Sequence, residues 1–250
     1  MNFLMKVVFL VRVPRWYSFR GDRLTGMVQQ HGHEVAGILV EPVPSGKFLH
    51  DVDRKFGASM LLRKMARTGF NWLRAKGANQ GGLPGTPRVF AVDSHNSAQC
   101  AALLRSLAPD VIFLRGCGII HREILEIPKV GVLNAHFGEL PKYRGVYATE
   151  WAILHGDRPL ITLHFVNEGV DTGDVIATRQ VPLRPGATLA SVRDESSRIG
   201  GELLVDVMDV LQEGTLKAQR QGPGQGVQYF SMHPRIYAAA ERKLHRLVNR

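Results

Sequence analysis

The run "GVLNAH" ends a strand-like segment with an amide and an imidazole two positions apart. In a β-strand, residues i and i+2 share a face, so Asn134 and His136 project together from the strand's carboxyl end. In open α/β sheets that end is where ligands bind. Side by side, the two groups are parts that acyl transfer needs. The amide can donate to an oxygen that gains negative charge in a tetrahedral intermediate, and the imidazole can take or relay a proton. Neither is a covalent nucleophile. A carboxylate to orient or charge the imidazole is offered by Asp171 in "EGVDTGD", a tight turn between two strand-like runs; Asp-x-Gly is also ordinary turn chemistry. His164, in "ITLHFV", falls on the strand face opposite Ile161, Leu163 and Phe165, where it either lines a cleft or packs.

The surrounding pattern says what positions these groups. "FLMKVVFLVR" and "HEVAGILVE" are β-branched apolar runs flanking a helix-compatible segment from Arg20 to His31. The alternation resumes with "PRVFAV", a helix from about Asn96 to Leu107 with Asn96 as N-cap and Pro109 as stop, and the run "DVIFLRG". The short helix "HREILEI" then leads into "VGVLNAH". Near-continuous apolar strands between helices imply a Rossmann-like α/β fold, a mostly parallel sheet with helices on both faces. "PLITLHFV" and "DVIATRQVPL" read as two further strands, followed by a helix from Thr188 to about Glu213 stopped by Gly214. Residues 42–88 form a long, basic insertion, read as a helix over about 51–76 and a Gly/Pro loop. The tail carries a strand-like "GVQYFS" and a basic helix after Pro234; the apolar strand leads us to expect a homodimer.

The 250 residues fit one large domain, and a 44% hydrophobic, 22% charged composition is that of an ordinary globular protein. Cys100 and Cys117 form no C-x-x-C pair, which suits a reducing compartment and argues against a structural zinc site. The pairs His31/His33 and Asp51/Asp53 lack further ligands, so no metal is expected. Lys6 interrupts the apolar opening and no small-residue cleavage site follows, so we read a first buried strand, not a signal peptide, and expect a cytoplasmic protein without a membrane span. A net charge of +10 favours anionic partners: nucleic acid, a membrane surface or a phosphorylated small molecule.

"LNAHFGELPKYRG" followed by "ITLHFVNEGVDTGDVI" resembles the catalytic core of the 10-formyltetrahydrofolate-dependent formyltransferases. "DVIFLRGCGIIHREIL" resembles the segment just upstream in that family. The resemblance implies that Asn134, His136 and Asp171 are the catalytic trio and that 10-formyltetrahydrofolate is the co-substrate, with no metal. It places the pterin between the backbone of Leu114, Arg115, Gly116, Cys117, Gly118 and Ile119 and the loop of Glu168, Gly169, Val170 and Asp171. It also implies a cis Leu140–Pro141 bond and an Asp171 that favours the imidazolium form of His136. The sequence departs from the family at Gly138 and Glu139, where many members carry a hydroxyl and an apolar residue. Residues 1–214 then form the catalytic domain and 215–250 a short C-terminal extension. "VRVPRWYSFRGD" stands where a glycinamide ribonucleotide transformylase would carry a phosphate loop, and the segment after Gly214 is short for an OB-like barrel, which argues against tRNA. The expected acceptor is a small-molecule amine, a nucleotide-linked amino sugar, met by Arg12, Arg15, Trp16, Tyr17, Arg20, Tyr143, Arg144, Gly145 and Tyr147. The rival readings are a formyltetrahydrofolate hydrolase, a formyltransferase acting on a hydroxyornithine-like amine, and a non-enzymatic nucleic-acid-binding protein.

Overall fold

The computed structural model describes residues 4–14, 23–43 and 87–249. Arg15, Trp16, Tyr17 and Arg20, and the insertion between 44 and 86 with its expected helix, lie outside the described residues. Five parallel strands open the sheet: β1 (Lys6–Pro14), β2 (Glu34–Val43), β3 (Val89–Ala91), β4 (Val111–Arg115) and β5 (Gly131–His136). The hairpin β7 (Leu160–Phe165) and β8 (Val175–Gln180) adds two antiparallel strands beside β5. The order is β3-β2-β1-β4-β5-β7-β8. The chain therefore runs outward from β1 to β3, then returns to β4 on the other side of β1. That reversal creates a crevice between the carboxyl ends of β1 and β4.

The apolar runs are buried on both faces, as a covered parallel sheet requires. Val7, Phe9 and Val11 of β1 pack into one core with α1 (Arg23–Gln30) and the long helix α5 (Leu189–Gln212). The alternate residues Val8 and Leu10 pack into the other, against α2 (Ala98–Leu107) and α3 (Arg122–Leu125). α5 begins at a reciprocal capping box, Thr188 with Ser191. The N-cap of α2 is Ser97, whose side chain accepts from Cys100 N, and not Asn96. Asn96 is engaged elsewhere: it donates to Ile119 O at 2.9 Å and accepts from His121 N at 2.8 Å, tying down the loop after β4. No helix among the described residues is long and apolar enough to cross a membrane.

The strand expected in the tail is present. β9 (Val227–Tyr229) pairs in parallel with β6 (Tyr143–Gly145) of the same chain, so one edge of the segment expected to join a second subunit is engaged internally. α6 (Pro234–Val248) packs on α4 (Ala148–His155), burying Ala240 and Leu244. The expected boundary at 214/215 thus separates sequence segments that pack against each other.

Candidate active site

β5 holds Asn134 in the last rung it shares with β4, the Leu114–Asn134 pair, and carries His136 two residues past it. On the other side the register sets Asn134 opposite His164 and His136 opposite Thr162. Asn134 Nδ2 donates to His164 Nε2 at 3.2 Å, while His164 Nδ1–H donates to Phe165 O at 2.7 Å. These partners fix the amide with its nitrogen toward His164 and leave its second N–H for the cleft. The strand alternation that set His164 apart from its apolar neighbours was the signal that it lines this cleft.

Asp171 reaches the site from the turn between β7 and β8, in the left-handed region at φ 52°. Its Oδ2 lies 3.4 Å from His136 Nδ1 and its Oδ1 3.6 Å from His164 Nε2, too long for direct hydrogen bonds. Oδ2 accepts from Gly145 N at 2.7 Å. Burial raises the Asp171 carboxyl, but contact with His164, the charge of His136 and the Gly145 N–H outweigh it and hold the group below the usual carboxylate range. Gln221, in the tail, donates to the carbonyls of Asp171 and Gly173 at 3.1 and 2.6 Å and so clamps the turn; no motif in the sequence pointed to it.

His136 is buried, and burial pushes it below the ordinary histidine range against the upward pull of Asp171 and the Tyr143 carbonyl. Asp171 thus favours the imidazolium, as the resemblance implied, while burial works against it and sets the net direction. The neutral ring donates from Nε2 to Tyr143 O at 2.6 Å, leaving the Nδ1 lone pair on the Asp171 side. This is the arrangement of a base: a proton taken at Nδ1 arrives beside a carboxylate that stabilises the resulting charge.

β6 thus serves both partners, its Tyr143 carbonyl holding His136 and its Gly145 N–H holding Asp171. Gly145 sits at φ 90°, and a Cβ there would lie 2.2 Å from Tyr229 O of β9. Gly145→Ala is expected to cost about 1–3 kcal/mol through backbone strain and a broken β6–β9 contact. A thermal melt alongside an activity assay checks this: loss of both is expected, and an unchanged melting temperature would refute the clamp. Gly138 is required for space: a Cβ would lie 2.8 Å from His136 Nε2 and 2.5 Å from the Ala148 Cβ. That crowding explains why this chain carries a glycine at 138. The Leu140–Pro141 bond is cis, as the resemblance implied.

These groups open on a cleft of about 560 Å³, within the range of small-molecule sites. Leu114, Gly116, Cys117, Gly118 and Ile119 line it together with Asn134, His136, His164, Gly169, Val170 and Asp171. The two loops assigned to the pterin therefore border the same space as the trio. Glu168 does not line this cleft, and Arg115 lines a neighbouring hollow of about 240 Å³ with Val11, Leu24, Ser197 and Gly201. That hollow occupies the β1–β4 crevice and shares Leu114, Gly116, Asn134, Ala135 and Phe137 with the main cleft. Burial pushes the Cys117 thiol up to about 12, and its Sγ donates to Leu10 O at 3.2 Å.

The expected acceptor residues divide. Gly145 and Tyr147 line the cleft. Tyr143 does not: its ring is buried and its hydroxyl donates to Asp157 at 2.5 Å. Arg144 is turned to the carbonyls of Gln225 and Gly226, where it holds the tail. Arg12 pairs with Glu41 at 3.0 Å, and Glu41 also lies 3.3 Å from His95 Nδ1, so its charge is already balanced. Among the described residues no group of three or more His, Cys, Asp or Glu side chains is placed to hold a metal ion.

Residues 52–208 match the model of the formyl transferase family. The chain belongs to that family. A methionyl-tRNA formyltransferase of Anaeromyxobacter dehalogenans is 29% identical over 196 residues, which cover 78% of this chain and 56% of that enzyme. A second one, from Clostridioides difficile, is 34% identical over 155 residues, covering 58% of this chain and 49% of its own length. The formyl transferase chain thus spans about half the length of these relatives. Among solved structures, formyltransferase PseJ from Anoxybacillus kamchatkensis, in complex with UDP-4,6-dideoxy-4-formamido-L-AltNAc and tetrahydrofolate, superposes with a TM-score of 0.51 at 18% identity, over 90% of this chain and 85% of that one. At that identity the likeness is one of fold.

Proposed function

We propose that the protein is an N-formyltransferase that moves the formyl group of 10-formyltetrahydrofolate to the primary amine of a small molecule, a nucleotide-linked amino sugar. The observation that carries this reading is the convergence of the Asn134 amide, the neutral His136 imidazole and the Asp171 carboxylate in one cleft bordered by the 116–119 and 169–171 backbone. The folate supplies an activated formyl carbon when bound. The loops bordering the cleft would hold its ring, and the cleft volume accommodates a group of that size.

In this reading a neutral amine forms a bond to the formyl carbon and the carbonyl oxygen becomes an oxyanion, which Asn134 meets with its free N–H. His136 Nδ1 takes the proton released by the attacking nitrogen, beside Asp171. Collapse breaks the bond from carbon to the folate nitrogen, which receives that proton. Amine and formyl donor become formamide and tetrahydrofolate, and no covalent enzyme intermediate forms.

The amino-sugar acceptor is supported by the fold likeness to PseJ and by the hollow at the β1–β4 crevice, contiguous with the main cleft at Asn134. The sequence relatives favour a second reading, a methionyl-tRNA acceptor. The test is tetrahydrofolate release from 10-formyltetrahydrofolate, followed by absorbance with nucleotide-linked amino sugars, with methionyl-tRNA and with no acceptor. Release with a sugar alone is expected. Release with methionyl-tRNA alone would replace the sugar reading, and equal release without any amine would make the protein a hydrolase.

A further inference from the structure

The cleft extends past the trio to the first turn of α4, where Tyr147, Glu150 and Arg193 line it. Glu150 has no exposed surface. Its Oε1 accepts from Arg193 Nε at 2.5 Å, and the Arg193 guanidinium lies 5.0 Å from the centre of the Tyr147 ring. Its Oε2 is buried and has no hydrogen-bond partner among the described residues. Buried polar atoms in native proteins are nearly always matched, and a carboxylate oxygen left without a donor is costly. Here the unmatched oxygen belongs to a residue in the wall of the cleft, where a bound ligand is one source of the missing donor.

We infer that Glu150 Oε2 recognises the acceptor by taking a hydrogen bond from a hydroxyl that neighbours the reacting amine. This rests on the proposed transfer to an amine and narrows it: the acceptor is a hydroxylated amine, not a plain alkylamine. A hydroxyl fits better than a second cation. Arg193 already balances the Glu150 charge, and an ammonium group beside the guanidinium would be repelled, whereas a neutral donor completes the carboxylate without that conflict. Burial pushes the Tyr147 phenol up to about 12, so it stays neutral at the mouth of this subsite and adds no competing charge.

The test is calorimetric binding, in the presence of tetrahydrofolate, of a UDP-linked 4-amino-4,6-dideoxyhexose and of its 3-deoxy analogue, to the wild type and to Glu150→Gln. Loss of the hydroxyl is expected to weaken binding to the wild type about 10- to 100-fold, the range for a hydrogen bond to a charged group. Glutamine keeps a carbonyl for Arg193 but offers the hydroxyl only an uncharged amide in place of a carboxylate oxygen. The variant is therefore expected to lose a similar factor for the hydroxylated sugar and almost none for the deoxy analogue. Equal affinity of the wild type for the two sugars overturns the inference without any variant. So does equal weakening of both sugars by the substitution, or a parallel loss of tetrahydrofolate affinity. A wild type that binds tetrahydrofolate but neither sugar would remove the amino-sugar reading itself, and the subsite with it.

Discussion

Replacing His136 by alanine is expected to lower turnover by about 10²–10⁴, the usual contribution of a positioned general base, while tetrahydrofolate affinity should stay close to that of the wild type. The split follows from the geometry. The imidazole contacts the Tyr143 carbonyl through Nε2 and faces Asp171 through Nδ1, whereas the loops at 116–119 and 169–170 border the cleft without it. The substitution has a structural cost as well, because it leaves the buried Tyr143 carbonyl without the ring's N–H, worth about 1–3 kcal/mol. His136→Gln separates the two effects. Its amide can still donate to Tyr143 but cannot take a proton, so a thermal melt is expected to recover while turnover stays low. If glutamine restores both, the ring is a strut and not a base. If alanine lowers folate affinity and turnover by the same factor, His136 is structural.

How much of this was legible in the sequence depended on the range of the interactions. The parallel sheet was readable because each strand advertises its two-sided burial locally: Val7 to Val11 alternate between two cores, and so must be apolar throughout. Asn134 and His136 were readable because the strand period alone puts them on one face. The Asn96 cap was misassigned because both Asn96 and Ser97 have the right chemistry at the right place. Only the tertiary contact of Asn96 with Ile119 and His121, more than twenty residues away, leaves the cap to Ser97. The same limit hid Gln221, the β6–β9 pairing and the Glu150–Arg193 pair, since partners so distant in the chain leave no spacing signal. Protonation was harder still. The sequence set a carboxylate near an imidazole and so gave the direction of that one influence, but the net sign is decided by how deeply the ring is buried, which only the packing of β5, β6 and β7 determines.

Asp171→Asn turns that sign into a measurement. Asparagine tolerates the left-handed backbone at this position, and its side-chain oxygen can still accept the Gly145 N–H, so the turn is expected to hold. What is removed is the negative charge that would face an imidazolium formed in the proposed reaction, and the plateau rate should fall by up to about 10⁴, the scale set by neutralising the carboxylate behind a catalytic histidine. In the wild type His136 is already below the ordinary histidine range, so the acid limb of the rate lies below pH 6.5, where the ring gains a proton and stops acting as a base. Asp171 is one of the influences that raise it. Without that charge burial is less opposed, the ring binds its proton less readily, and the limb moves to lower pH. The stability consequence has the same direction. A histidine depressed in the folded state favours folding above its unfolded pKa and loses that contribution as pH falls toward the folded value, so the pH window over which the wild type loses stability widens downward in the variant. The acceptor amine titrates identically with both proteins and cancels in the ratio of their pH–rate profiles. A limb that moves to higher pH, or a plateau lowered less than about tenfold against that range, would leave Asp171 as a turn residue and assign proton management to some other group in the cleft.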